Sequence, residues 1–231
     1  MADTGYTRSP KLVRAALVQL VEDIIGPVPN VVPFQFNSDT MTRTITPTVP
    51  SDIDPSGQGQ VDPTAQPTEP KEVITLAVEF DAADALEDGD AVAAEFGVSD
   101  RVAAIEKFLR PSKGPIGDLV GAAAALVGAP LPPVRPSVPI AFLVWGKTRI
   151  VPVRVTDYSI EEMSFLPNLA PLTVKINLTL QVLTPDDFRC AKGPIVEIAI
   201  AAFRLHRLQQ DGLALAHTAR NADKALSLLP F

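Results

Sequence analysis

Gly146, Lys147 and Thr148 end the stretch AFLVWGKT at 141–148 as the tail of a phosphate-binding loop would end. Such a loop wraps phosphates with bare backbone N–H groups on a glycine-rich turn, then presents them to the N-terminus of a following helix. Here Ala141 stands in place of the first glycine, and Phe142, Leu143, Val144 and Trp145 fill the intervening positions with bulk. Beyond the triplet, Val151, Val153 and Val155 alternate with Pro152 and Arg154, the two-residue period of a strand. The spacing predicts a β-hairpin and not nucleotide chemistry. Gly146-Lys147 reads as a two-residue type II′ turn, with glycine at the first central position where φ is positive.

The other reactive side chains are scattered. His206 and His217 are too far apart for a metal pair at i, i+4, and no third ligand sits at a telling distance. Asp81, Asp84, Glu87, Asp88 and Asp90 lack the alternating ligand spacing of a calcium loop, so the stretch reads as a solvated turn. Glu161 and Glu162 are neighbours on a strand, where adjacent side chains point to opposite faces and cannot flank one bond. Ser159, Ser164 and Ser227 have neither elbow glycines nor an activating base beside them. No catalytic, cofactor-binding or metal-ligating residue is assigned, and the chain reads as a non-enzyme without a cofactor.

The elements that would position these residues are mostly strands. A first strand is expected from Val13 to Val21. Val32, Phe34 and Phe36 alternate with polar or proline positions, and Thr40 to Thr46 continue the β-propensity after the turn signal Asn37-Ser38-Asp39. From Pro47 to Pro70 prolines, glycines, glutamines and acids leave almost nothing to bury, which predicts a long loop. Ile74, Leu76, Val78 and Phe80 then alternate as a half-buried strand. Val102, Ile105 and Leu109 change the period to that of a helix, capped by Ser99 or Asp100 and stopped by Pro111. The Gly- and Pro-punctuated, Ala-rich stretch from Pro111 to Pro139 is expected to loop out.

After the hairpin, Ile176, Leu178, Leu180 and Val182 alternate with Lys175, Asn177, Thr179 and Gln181 in the clearest strand of the chain. A terminal helix follows, with Pro194 in its first turn, Ile195, Ile198, Ala202 and Phe203 on one stripe, and a break or bend at Gly212. The order predicts a mainly β, α+β fold: an antiparallel sheet structure with one inserted helix and a C-terminal helical arm.

Bulk properties narrow the function classes. The chain has 231 residues, 46% hydrophobic and 20% charged, enough to build a substantial core. A net charge of −7 argues against nucleic acid as the main partner, because phosphate neutralisation needs clustered Lys and Arg. The single Cys190 excludes an intramolecular disulfide and fits a reducing compartment. The apolar run near the N-terminus is broken by Glu22 and Asp23, so neither a signal peptide nor a membrane span is expected, and assembly is expected in the cytoplasm.

Three stretches, VVPFQFNSDTMTRTITP, ITLAVEFDAADALEDGDAVAAEFGVSDRVAAIEKFLRP and PIAFLVWGKTRIVPVRVTDYSIEEMSFLPNLAPLTVKINLTLQVLTPDD, resemble the tube-like baseplate proteins of phage-tail-like contractile injection systems. Phe34, Phe36, Asn37, Thr42 and Arg43 match that family's opening motif, with Ser38 where a proline is usual. Trp145, Gly146, Pro152, Arg154, Val155 and Thr156 match its hairpin, and Phe165, Pro167 and Pro171 match the segment before its long strand. The resemblance covers most of the chain outside the two Pro-rich loops and the tail and implies an antiparallel β-barrel or sandwich of the tail-tube type over 1–188; the Pro-rich loops at about 47–72 and 111–139 and the C-terminal helical extension over 189–231 are expected from composition and pattern. It further implies a structural subunit, self-associated in a sixfold ring, that adapts the baseplate hub or spike to the inner tube. An inner-tube or tube-terminating subunit of the same machine is the alternative, and a small-molecule-binding β-domain is the alternative from another class. Contact with a separate lysin-motif baseplate protein, and membership of a released or membrane-attached injection particle, belong to the same expectation. No nucleic-acid or membrane partner is expected. The loop from Pro47 to Pro70 is expected to reach a neighbouring subunit and to order on assembly.

Overall fold

Alternation along the strands decides which face each buries, and one face dominates. The computed structural model describes residues 14–23, 26–48, 68–111, 121–124, 126 and 138–221. The strands are β1 (Ala16–Asp23), β2 (Gly26–Pro33), β3 (Met41–Thr46), β4 (Lys71–Asp81), β5 (Ala141–Trp145), β6 (Arg149–Phe165) and β7 (Pro171–Val182). They form one seven-stranded sheet in the order β2-β1-β5-β6-β7-β4-β3, antiparallel at every pairing. The fold is therefore mainly β within an α+β architecture. Among the described residues β2 and β3 do not pair, so this sheet is open where a barrel would close.

The principal core lies on the face that carries Ile74, Leu76, Val78 and Phe80 of β4 and Val174, Ile176, Leu178, Leu180 and Val182 of β7. Both rows are the ones the two-residue alternation predicts. Val151, Val153 and Val155 of β6, with Leu143 of β5, extend the same face. Between β4 and Pro111 the described residues form three short helices, α1 (Ala83–Glu87), α2 (Ala91–Phe96) and α3 (Ser99–Glu106), where one helix is expected. The acidic stretch expected to be a turn is thus α1 and α2, because Asp90 caps α2 by accepting from the Val92 and Ala93 amides at 2.8 and 3.3 Å. Ser99 is the first residue of α3 and not its cap, which is Val98.

Ile105 and Phe108 seat α3 and its following turn in the core. Two strand amides satisfy carbonyls at its end that have no helical partner: Asn30 Nδ2 donates to the Ala104 carbonyl at 3.1 Å, and buried Gln19 Nε2 to that of Lys107 at 3.5 Å. Residues 121–124, expected to loop out, are helical. Residues 49–67, 112–120, 125 and 127–137, most of the two Pro-rich segments, lie outside the described residues; the ends of the first meet, with Thr68 Oγ1 donating to Thr48 Oγ1 at 2.9 Å.

The last helix, α4 (Pro194–Arg220), starts with Pro194 in its first turn as expected. It runs through Gly212 without a break, since one glycine costs a long helix only about 1 kcal/mol. Its buried stripe is Ala199, Phe203 and His206, whereas Ile198, expected inside, is half exposed. Ala199 joins Phe142 and Phe188 in a smaller cluster on the opposite face of β1 and β5, and Phe203 reaches the principal core. Beyond it, residues 211–220 are all exposed.

Among the described residues the two edge strands, β2 and β3, are unpaired on their outer sides, and they differ. The Phe34 amide donates to the Ala15 carbonyl at 2.8 Å, so alternation directs the backbone groups of the even residues of β2 at β1 and those of the odd residues outwards. The outward positions include Pro27, Pro29 and Pro33, which have no N–H. The outer side of β2 thus offers carbonyls but few donors. β3 contains no proline and keeps its outward donors.

Candidate functional site

The residues of the hairpin motif do not form a phosphate site. Ala141 to Trp145 are extended as β5, paired with β6 from Trp145–Arg149 to Ala141–Val153. Gly146 has φ +72°, the positive value the turn requires. The turn is one residue longer than expected: Gly146, Lys147 and Thr148 all lie between the paired Trp145 and Arg149. No helix N-terminus follows, because Arg149 begins the 17-residue β6.

The other motif residues serve the frame. Asn37 Oδ1 accepts from the Ala15 amide at 2.9 Å and pins the start of β1. Phe34 is fully buried, while Phe36 is 53% exposed beside a hollow of about 290 Å³ over Ala77, Glu79 and Lys175. Thr156 Oγ1 donates to the Thr179 carbonyl at 3.1 Å, where a bulge between Val155 and Asp157 shifts the β6–β7 register and bends the strand. The Pro171 carbonyl accepts from the Val98 amide at 3.0 Å and ties β7 to the start of α3.

The densest polar constellation gathers at one end of the principal core, where β3, β4, β6 and α4 converge. Glu72 is in phase with Ile74 and Leu76 and is only 5% exposed. Arg43 of β3 grips it with two bonds, Nε to Oε1 and Nη2 to Oε2, the latter at 2.9 Å. Donation to Glu72 raises the Arg43 pKa; burial opposes it and the charge attraction adds to it. Arg149, first residue of β6, directs Nη1 towards Met41 Sδ at 3.7 Å.

α4 closes this end. Arg207 Nη2 donates to Glu69 Oε2 at 3.0 Å, and the guanidinium stacks over Phe203 at 5.3 Å from the ring centre. His206 is 8% exposed, with Nε2 3.0 Å from Gln210 Nε2 and with Nδ1 buried and without a partner among the described residues. If Gln210 donates, the ring proton is on Nδ1, a buried donor left unsatisfied. Burial lowers the His206 pKa; Glu72 pulls it up, while Arg43, Arg149 and Arg207 push it further down. The ring is therefore neutral at pH 7. It lies among an amide, Glu72 and arginines, and among the described residues no carboxylate is bonded to it, so the arrangement is a polar seal over the core.

A second concavity, of about 500 Å³, lies between Ile140, Arg154, Gln181, Leu183 and Phe188. Asp187 on its wall is already engaged, accepting from the Thr184 amide at 2.7 Å. Tyr158 has a buried hydroxyl with no partner among the described residues, and its pKa is raised by burial and then by Glu106 and Glu162. Glu161 and Glu162 are both exposed on β6, and the described residues contain no group of three His, Cys, Asp or Glu able to hold a metal. Sequence reasoning missed the seal. Its one signal was an acid, Glu72, in the core phase of an alternating strand.

Fold and site together define an open, mainly β, antiparallel sheet protein with helices on both faces, in which the polar residues brought together are bonded to the frame. The chain matches no protein-family model and no curated protein. No described helix is long and apolar enough to cross a membrane.

Proposed function

We propose that the chain is a structural subunit of a contractile injection system, forming a ring that adapts the baseplate hub or spike to the inner tube. The observation that carries this reading is the pair of unlike free edges on one antiparallel sheet. Open edges invite pairing, and ring closure removes them. Two β2 edges cannot form a ladder with each other, because both lack donors at the proline positions. β3 of one subunit can still donate to the outward carbonyls of β2 on the next. That contact is heterologous, the kind that generates a ring when the rotation closes. The motif residues Asn37, Gly146, Thr156 and Pro171 support the reading through the family resemblance, since each fixes a turn, a bulge or a strand junction of the sheet.

Native mass spectrometry of the purified chain, followed by electron cryo-microscopy with hub and tube proteins added, tests it. The expected result is a closed ring of six chains seated between the hub and the tube. Open-ended polymerisation points instead to an inner-tube subunit. A chain that neither closes a ring alone nor joins hub or tube refutes the proposal.

A further inference from the structure

We infer that the outward face of α4 pairs with the same face of a second copy, the two helices running antiparallel. Ile198, Ala201, Leu205, Leu208, Gly212 and Leu215 recur at alternating intervals of three and four, the a and d positions of a heptad. All six are exposed, Leu208 by 68% and Leu215 by 71%. At 100° per residue they centre roughly 200° around the helix from Ala199, opposite the face that packs on the sheet. A copy docked there therefore meets helix, and the two sheets lie on the outer sides of the pair.

Charge selects the direction. Arg204 and Asp211 flank the stripe, are exposed, and have no ion pair among the described residues. In an antiparallel pair with Leu205 opposite Leu208 of the second copy, Ile198 falls opposite Leu215 and Ala201 opposite Gly212. The same register sets Arg204 beside Asp211 of the other chain, twice by symmetry. A parallel pair would put Arg204 beside Gln209 and Asp211 beside Ala216, leaving both charges unmatched.

Gly212 is the independent observation. It sits inside a helix, where glycine is unfavourable, and a Cβ added to it meets nothing within 4 Å among the described residues, so these give no reason for it. Opposite Ala201 of a second copy it makes a layer of two small residues that lets the backbones approach closely. The inference concerns a surface other than the sheet edges and does not depend on the ring.

Sedimentation velocity of the full chain across a micromolar concentration series tests it, with circular dichroism as the folding control. Wild type is expected to show reversible dimerisation through this face. Leu205→Glu with Leu208→Glu should abolish it and leave the spectrum unchanged, since both side chains are exposed. Arg204→Asp or Asp211→Arg alone should weaken the dimer on the order of tenfold, two matched pairs becoming two repulsive ones. The double charge exchange should restore it. A wild type that shows no such self-association, an association that survives the two glutamates, or a double exchange that fails to restore it overturns the inference.

Discussion

Replacing Gly97 by alanine tests the junction that joins the helical layer to the sheet. Gly97 ends α2 with φ 59° and ψ −126°, a conformation that residues with a Cβ rarely adopt. A Cβ placed there would lie 2.0 Å from the Pro171 carbonyl oxygen and 2.9 Å from its carbon. Both atoms are backbone, so no side chain can rotate away. Pro171 is itself held in register against Phe165. Relief requires β7 or α3 to move by about 1.5 Å, to restore ordinary contact, and that movement breaks the 3.0 Å bond from the Val98 amide to the Pro171 carbonyl. Backbone strain of about 1–3 kcal/mol and a lost hydrogen bond of about 1 kcal/mol, with disturbed packing around buried Val98, sum to about 3–5 kcal/mol. For a chain of this size that lowers Tm by about 6–20 °C. Gly89→Ala is the control: its φ is +74° but nothing lies within 4 Å of an added Cβ, so only the conformational cost of about 1–2 kcal/mol applies. Differential scanning calorimetry of both variants decides the matter. If Gly97→Ala melts no lower than Gly89→Ala, the close approach to Pro171 is wrong.

The polar seal gives further predictions. Arg43→Ala should destabilise by about 2–4 kcal/mol in urea unfolding, because it leaves the Glu72 carboxylate buried and alone; Arg43→Met with Glu72→Met should recover at least half of that. His206 has a folded pKa below its ordinary 6.5, so the unfolded chain binds the proton first, and stability is lost as pH falls through about 6.5 and levels off below the folded value. His206→Gln should remove that component from the urea midpoint measured between pH 8 and pH 5, and equal slopes for the two proteins would count against a buried neutral ring. Lys147→Ala should leave stability within about 0.5 kcal/mol and phosphate release from ATP at the blank, since Lys147 is an exposed turn residue.

What was legible in the chain follows from how each element is stabilised. β4 and β7 bury one face and pair on both sides, so their two-residue alternation is complete and their inner rows could be read directly. The hairpin was legible in its glycine, because a positive φ needs one. Its length was not, since the Trp145–Arg149 pairing sets it and composition does not. α4 misled for a physical reason: apolar residues occupy both of its faces, and period alone cannot say which face meets the chain's own sheet. Pro, Gly and Ala content concealed the helical turn at 121–124, and acidic content concealed α1 and α2, whose order comes from the Asp90 cap and from Ala93 in the core. The polar seal could not be assembled from the sequence at all. Arg43, Glu72, Arg149 and His206 are far apart in the chain and meet only through the β3–β4 register and the crossing of α4.

The two proposed association surfaces differ in symmetry. Pairing through the sheet edges joins unlike strands, β3 to β2, so it is heterologous and either closes a ring or runs on. Pairing through α4 joins like to like and stops at two. The two also differ in their physical basis. Edge pairing rests on backbone donors from β3 and is insensitive to side-chain charge, whereas the helix register depends on Arg204 meeting Asp211 and weakens as salt screens them. Salt therefore separates the surfaces without any mutation: raising it should shift the chain away from pairs while leaving ring contacts nearly unchanged. The glycine in α4 and the prolines in β2 become two solutions to one problem. On the proposed pairings Gly212 would accept a local cost to admit a neighbour's backbone, while Pro27, Pro29 and Pro33 would refuse one by lacking donors.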